Sequence, residues 1–309
     1  MYSRMTGRKY FHGRIMKKLL VTGASGFLGN TVCREARETW DVFGTFCDHH
    51  VSIKGVKTLQ ADIADAGPFA ILFRDIRPDA VIHCAAWSDP NRCQQNPEES
   101  YRNNVGASVA VASSCAQQGI PCVFTSSDLV FSGENPPYNE QSATDPINLY
   151  GNHKVAAEHG MRRVFPAVTI CRMPLMFGDA MAPAQSFIQP MISSIVNGRQ
   201  LKLFTDEFRT PVSGTTAARG LLLALNAPGE TLHCGGRERI SRYEFGVLLA
   251  RALEKNGASI VPALQKDVAF PAPRARDVSL SSEKAFALGY DPQPLAQQLA
   301  ELECVRSFG

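Results

Sequence analysis

The chain has 309 residues, 44% of them hydrophobic, enough to bury a substantial core as one large domain or as a large and a small one. Its 32 Lys and Arg against 29 Asp and Glu leave a net charge of only +3, which argues against nucleic acid or an anionic membrane as the main partner. No apolar stretch reaches the ~18 residues of a spanning helix; the nine cysteines, odd in number and without a Cys-x-x-Cys pair, point to a reducing, cytoplasmic setting with no zinc site.

Residues 1–15 carry Arg4, Arg8, Lys9 and Arg14 and read as an N-terminal extension without fixed structure, ahead of a domain that starts at Met16. The extension lacks the apolar run of a signal peptide, although a short basic targeting peptide is compatible with it. Lys17-Lys-Leu-Leu-Val-Thr22 predicts a strand, Thr22-Gly-Ala-Ser-Gly-Phe-Leu-Gly29 a turn, and Asn30 to Glu38 a helix. In that frame Gly23 permits the tight turn, Gly26 lets backbone approach a pyrophosphate, and Gly29 lets the helix pack closely on the strand. Ser25, Phe27 and Leu28 ride on the same turn, and the helix N-terminus faces the phosphates. A dinucleotide is the expected ligand.

Val42-Phe-Gly-Thr-Phe-Cys-Asp48 predicts the next strand, with Asp48 placed to accept from a ribose 2′-hydroxyl; Arg34 or Arg37 could instead reach a 2′-phosphate, so NADH and NADPH both stay open. The adjacent His49 and His50 read as loop. Strands at Thr58–Ala61, Ala80–Ala86 and Cys122–Ser127 alternate with helices at Phe69–Ile76 and Val105–Gln118, the pattern of a doubly wound parallel sheet.

Tyr150 and Lys154 stand four apart in Asn148-Leu-Tyr-Gly-Asn-His-Lys154. On a helix they share one face, where the ammonium stabilises a phenolate that is otherwise hard to form; the same spacing also occurs on solvated helix faces. Beyond Arg172 prolines multiply and the pattern loosens. The expected organisation is a Rossmann-type α/β domain over 16–170, to which residues of about 209–232 return, and a smaller C-terminal α/β substrate lobe over 171–309. A helix from Ser241 to Asn256 is predicted within that lobe, with a Ser241/Glu244 capping box and Gly257 as its stop.

The G-x-x-G-x-x-G turn combined with Tyr-x-x-x-Lys resembles the extended short-chain dehydrogenase/reductase family, nearly throughout the chain from Met16. The resemblance implies that Asp62 and Ile63 contact adenine, that Cys84, Ala85 and Ala86 run beneath the cofactor, and that Asn104 is the family's helix asparagine. It implies a Ser127, Tyr150, Lys154 catalytic set, with Lys154 also holding the cofactor ribose. It places Ser88, Asp128, Leu175, Arg209 and Arg274 at the substrate, the two arginines as contacts to a nucleotide-sugar diphosphate. Ser126-Ser-Asp-Leu-Val-Phe131 looks like the reductase form shared by dTDP-4-dehydrorhamnose reductases and the regulatory beta subunit of methionine adenosyltransferase. Leu129 stands where a dehydratase has its glutamate, which disfavours elimination. Leu175 stands where the rhamnose-forming reductases have a tryptophan. The resemblance thus implies reduction of a nucleotide-linked keto sugar, with a cofactor-binding regulatory subunit of a partner enzyme, or an epimerase, as alternatives; a homodimer stays open.

Overall fold

In the computed structural model, which describes residues 10–11, 14–179 and 181–307, the apolar runs of the first half become neighbours in one sheet. Its strands are β1 (Lys18–Thr22), β2 (Asp41–Phe46), β3 (Lys57–Gln60), β4 (Ala80–His83), β5 (Cys122–Ser127), β6 (Thr169–Met173) and β7 (Thr231–His233). All pair parallel, in the order β3-β2-β1-β4-β5-β6-β7. β2, β4, β5 and β6 are buried at every position, as strands covered on both faces must be.

The pleat sorts the side chains. Leu19, Val21, Ile82 and Cys171 point to one face, against α1 (Phe27–Ala36) and, later in the chain, Ala217, Ala218 and Leu221 of the helix Gly214–Ala224. Leu20, Val81, Phe124 and Ile170 point to the other, against α2 (Ala66–Ile76), α3 (Ala107–Gln118) and α4 (Leu149–Val164). From β1 the chain winds outward to β2 and β3, then returns to β4 and winds the other way. The reversal between β1 and β4 opens a crevice at the carboxyl ends of the strands.

A third core gathers Phe177, Ile188, Ile192, Phe245, Leu249 and Leu299 around the helices Ile188–Val196, Arg242–Ala252 and Leu295–Ala300. Beside it, Phe208–Arg209 pairs antiparallel with Ile240–Ser241, and Leu201–Phe204 pairs parallel with Ile260–Ala263.

Several boundaries differ from expectation. α1 begins at Phe27 rather than Asn30, because Gly26 is already its extended N-cap, with φ −83° and ψ 161°. The helix over 105–118 is preceded by a π-helical turn, Arg102–Gly106, which adds a residue to the coil just where Asn104 sits. The Ser241 capping box forms, yet its helix ends at Ala252: Glu254 takes φ 56°, and Lys255 N closes onto Ala250 O at 2.9 Å, so Gly257 is not the stop. Within the 1–15 extension, Tyr10–Phe11 pairs antiparallel with Arg14–Ile15, so this part has regular backbone pairing; residues 1–9, 12 and 13 lie outside the described residues. Among the described residues no helix is long and apolar enough to cross a membrane.

Candidate active site

The glycine turn leaves β1 at the crevice. Gly23 has φ 74°, and a Cβ there would lie 2.8 Å from Ala85 Cα, so the turn presses directly on the segment after β4. At Gly29 a Cβ would sit 2.2 Å from Gly23 O; nothing larger fits between helix and strand. No side chain caps α1, which leaves the N–H groups of its first turn directed into the crevice.

A buried chain of hydroxyls fixes the floor. Thr22 Oγ1 accepts from Cys84 N and Ala85 N and meets His83 Nδ1 at 2.7 Å, while His83 Nε2 meets Ser108 Oγ at 3.0 Å. Ser108 donates to Asn104 O at 2.7 Å, so His83 must donate from Nε2 and accept from Thr22 at Nδ1. Burial pushes the His83 imidazole down to about 3, in keeping with the neutral ring this pattern needs.

Asn104, which the resemblance sets as the family's helix asparagine, is hydrogen-bonded to protein groups. Its amide clamps Trp87, accepting from Trp87 N at 2.8 Å and donating to Trp87 O at 3.0 Å, and it lines neither cavity described below. The asparagine instead holds the loop after β4, where the Arg92 guanidinium stacks 3.4 Å from the centroid of the Trp87 ring.

Two cavities share a wall made of Gly23, Gly26, Cys84 and Ala86. The first, about 420 Å³, lies over the ends of β1 to β3 and takes in Ser25, Asp48, Asp62, Ile63 and Ala85. Here Asp62 accepts from Ala64 N and pairs with Arg102 at 2.7 Å, and Asp48 lies beyond the end of β2. The second, about 430 Å³, takes in Phe27, Leu28 and Gly29 on one side, Ser127, Tyr150 and Lys154 on another, and Ser88, Asp128, Leu175, Arg209 and Arg274 around its far end. Apart from Asn104, the expected site residues therefore line one continuous cleft.

The groups expected to carry the chemistry meet as follows. Asn148 caps α4 by accepting from Gly151 N at 2.9 Å, and Gly151 itself must lack a side chain, since a Cβ would fall 2.1 Å from Leu129 O. Tyr150, Lys154 and Glu158 then follow one another down one buried face of the helix. Lys154 Nζ donates to Thr125 O at 2.8 Å and lies 5.8 Å from the Tyr150 ring centroid. Burial brings its ammonium down to about 8, opposed by Cys84 and Glu158. The Tyr150 phenol is raised by burial, with Ser127 acting the other way: in this arrangement desolvation outweighs the lowering expected from Lys154, and the phenol is held as a neutral acid. Below it, Arg172 of β6 grips Glu158 through two contacts, Nε–Oε1 at 3.1 Å and Nη2–Oε2 at 2.9 Å, and Ser126 Oγ donates to Glu158 Oε1.

Ser127 Oγ donates to Asp128 Oδ1 at 3.2 Å, and Asp128 Oδ2 lies 3.4 Å from Arg209 Nε. Burial raises the Asp128 carboxyl to about 6, against the pull of Arg209 and Ser127. The far wall also holds Gln185, Phe187, Glu207 and Arg242, none of which sequence reasoning singled out. Glu207 and Arg242 arrive from segments more than thirty residues apart, and Arg242 directly follows a helix cap, so neither belongs to a local motif. All nine cysteines are free thiols, most of them buried.

Residues 16–304 match the RmlD substrate-binding domain. The chain belongs to this family of extended short-chain dehydrogenases/reductases. Among RmlD-type relatives, it is 31% identical over 293 residues, 93% of this chain and 97% of the relative, to a Haloferax volcanii protein named "Probable low-salt glycan biosynthesis reductase Agl14". It is 27% identical over 282 residues to methionine adenosyltransferase 2 subunit beta of Rattus norvegicus, covering 88% of this chain and 83% of that one. A solved dTDP-4-dehydrorhamnose reductase of Bacillus anthracis, in complex with NADP, superposes with a TM-score of 0.81 at 20% identity, covering 95% of this chain and 98% of the other, a likeness of fold.

Proposed function

We propose that this protein is an NAD(P)H-dependent reductase acting on a keto group of a nucleotide-linked sugar. The observation that carries the reading is the junction of two half-sites: Ser127, Tyr150 and Lys154 open onto the same cavity as the uncapped first turn of α1, with arginines at its far end. Reductases among its relatives, one of them solved with NADP, support it.

The cleft suits a dinucleotide, with glycine where backbone must approach and α1 aimed at the phosphates. When bound, the nicotinamide cofactor would supply the hydride. Tyr150, kept neutral by burial, donates the proton to the developing alkoxide, and Ser127, once it turns from Asp128, gives the same oxygen a second hydrogen bond. Lys154, within reach of the phenol and of a ribose, offsets the phenolate charge left behind. The direct test is to mix purified protein with NADH or NADPH and a panel of nucleotide-linked 4-keto sugars and follow loss of nicotinamide absorbance; tight cofactor binding with no consumption would favour the regulatory-subunit reading that the methionine adenosyltransferase beta subunit suggests.

The titrations set a pH window. Lys154 must keep its proton and loses it as pH rises through about 8; Asp128 must be ionised to face Arg209 and is protonated as pH falls through about 6. A bell-shaped kcat/KM profile with its plateau between these values is expected, and Asp128→Asn, which cannot ionise, should lower kcat/KM across the profile and leave no acid limb.

Cofactor choice is read from the first cavity. Asp48 lines this cavity, where its carboxylate would accept from a ribose 2′-hydroxyl, while the two arginines that line it are engaged, Arg102 with Asp62 and Arg92 on Trp87. We infer that NADH is preferred. Fluorescence titration should give a smaller Kd for NADH than for NADPH, and Asp48→Asn should narrow the ratio by about tenfold; an NADPH preference in the unaltered protein would reverse the inference.

A further inference from the structure

The cavity wall far from Tyr150 carries a charge arrangement that extends beyond the Asp128–Arg209 pair. Glu207 and Arg242 are neighbours across the short antiparallel ladder: Phe208 pairs with Ser241, and Arg242 N donates to Glu207 O at 2.9 Å. Glu207 is buried, and its Oε1 lies 2.8 Å from Arg242 Nη2 and 3.7 Å from Arg209 Nη2. One carboxylate oxygen thus stands between two guanidiniums. Burial alone would raise the Glu207 carboxyl, yet Arg242 and Arg209 together hold it below its usual range.

Neither contact is a fork on a fork. Arg242 gives Glu207 a single hydrogen bond, and Arg209 uses Nη1 on its neighbour's carbonyl, Phe208 O at 3.0 Å. Arg274, on the same wall, is partnered by an uncharged oxygen, Asn91 Oδ1 at 3.2 Å, and its buried Nε has no partner among the described residues. Asp128 Oδ2, near Arg209, also lacks a hydrogen bond. The wall therefore holds three guanidiniums against two carboxylates, with the Arg274 Nε donor left over. A phosphate oxygen pair, which arginine binds through two parallel bonds, would satisfy these forks better than the one carboxylate does.

We propose that Glu207 is an internal stand-in for ligand phosphate, holding the Arg209 and Arg242 forks while the cavity is empty and displaced from them when a diphosphate group binds, with Arg242 a direct ligand of that group. The proposal deepens, and rests on, the reading of the substrate as nucleotide-linked.

The test uses the full chain and inorganic diphosphate, followed by calorimetry, with thermal unfolding and cofactor affinity as checks on folding. Glu207→Gln is expected to bind diphosphate about tenfold more tightly, because the internal competitor loses its charge, and Arg242→Gln about tenfold more weakly. Glu207→Asp, one methylene shorter and still charged, should tighten binding less than Glu207→Gln; it carries the test if the amide variant does not fold. Weaker or unchanged diphosphate binding in the Glu207 variants would overturn the proposal, as would unchanged binding in Arg242→Gln. Inorganic diphosphate reads this wall without any sugar. Tightening without turnover of any keto sugar would keep the inference and remove the reductase reading; turnover with unchanged diphosphate affinity would do the reverse.

Discussion

A Tyr150→Phe protein is expected to bind nicotinamide cofactor with nearly unchanged affinity and to turn over its keto substrate at least about a hundredfold more slowly, the usual scale for losing one positioned proton donor. The substitution removes one oxygen. The ring stays buried beside Lys154 and the α4 face keeps its packing, so stability should change little. Under the proposed mechanism the phenol hands over the proton, so kcat should fall while the cofactor Kd does not. Full activity in this variant would mean that the proton comes from elsewhere and that the proposed mechanism is wrong.

The largest stability effect is expected at Glu158. Its carboxylate and the Arg172 guanidinium are both almost wholly buried, 6% and 8% exposed, and satisfy each other through two bonds. Glu158→Leu strands a buried cation, at a cost of about 3–5 kcal/mol. That should lower Tm by about 6 °C or more. The double variant Glu158→Leu with Arg172→Met should recover most of the loss, since an apolar pair of similar volume needs no counter-charge. Glu158 also helps Lys154 keep its proton, so the surviving single variant should lose activity at a lower pH than the unaltered protein. A Tm shifted by no more than about 1–2 °C would show that the ion pair carries little net stability.

Much of the fold was legible because parallel strands buried on both faces leave short apolar runs, as in residues 19–21 and 122–124, and because glycine spacing marks the turn at Gly23. Tyr150 and Lys154 were legible because four residues make one helical turn. What local pattern could not show is what tertiary contact decides. The Asn104 side chain turns to Trp87, seventeen residues earlier, and the helix after Ser241 stops where Glu254 takes a left-handed conformation rather than at a glycine. Glu207 and Arg242 meet only because two strands of two residues each pair across a long separation. Spacing also could not show the depth of burial, which raises the Tyr150 phenol where the neighbouring Lys154 predicts a lowering.

The residues around the cleft are not distributed evenly along the chain. Those on the Tyr150 side come from β5 and α4, inside the sheet sandwich, whereas Leu175, Glu207, Arg209 and Arg274 come from connections and short ladders downstream of β6, and Arg242 from the start of a helix there. A change in the second group leaves the sheet and its two helical layers intact. The architecture thus separates inheritance of a reaction from inheritance of a substrate: descendants of such a chain can exchange one ligand for another by altering loops, while the groups that would move the proton stay under the constraint of the core.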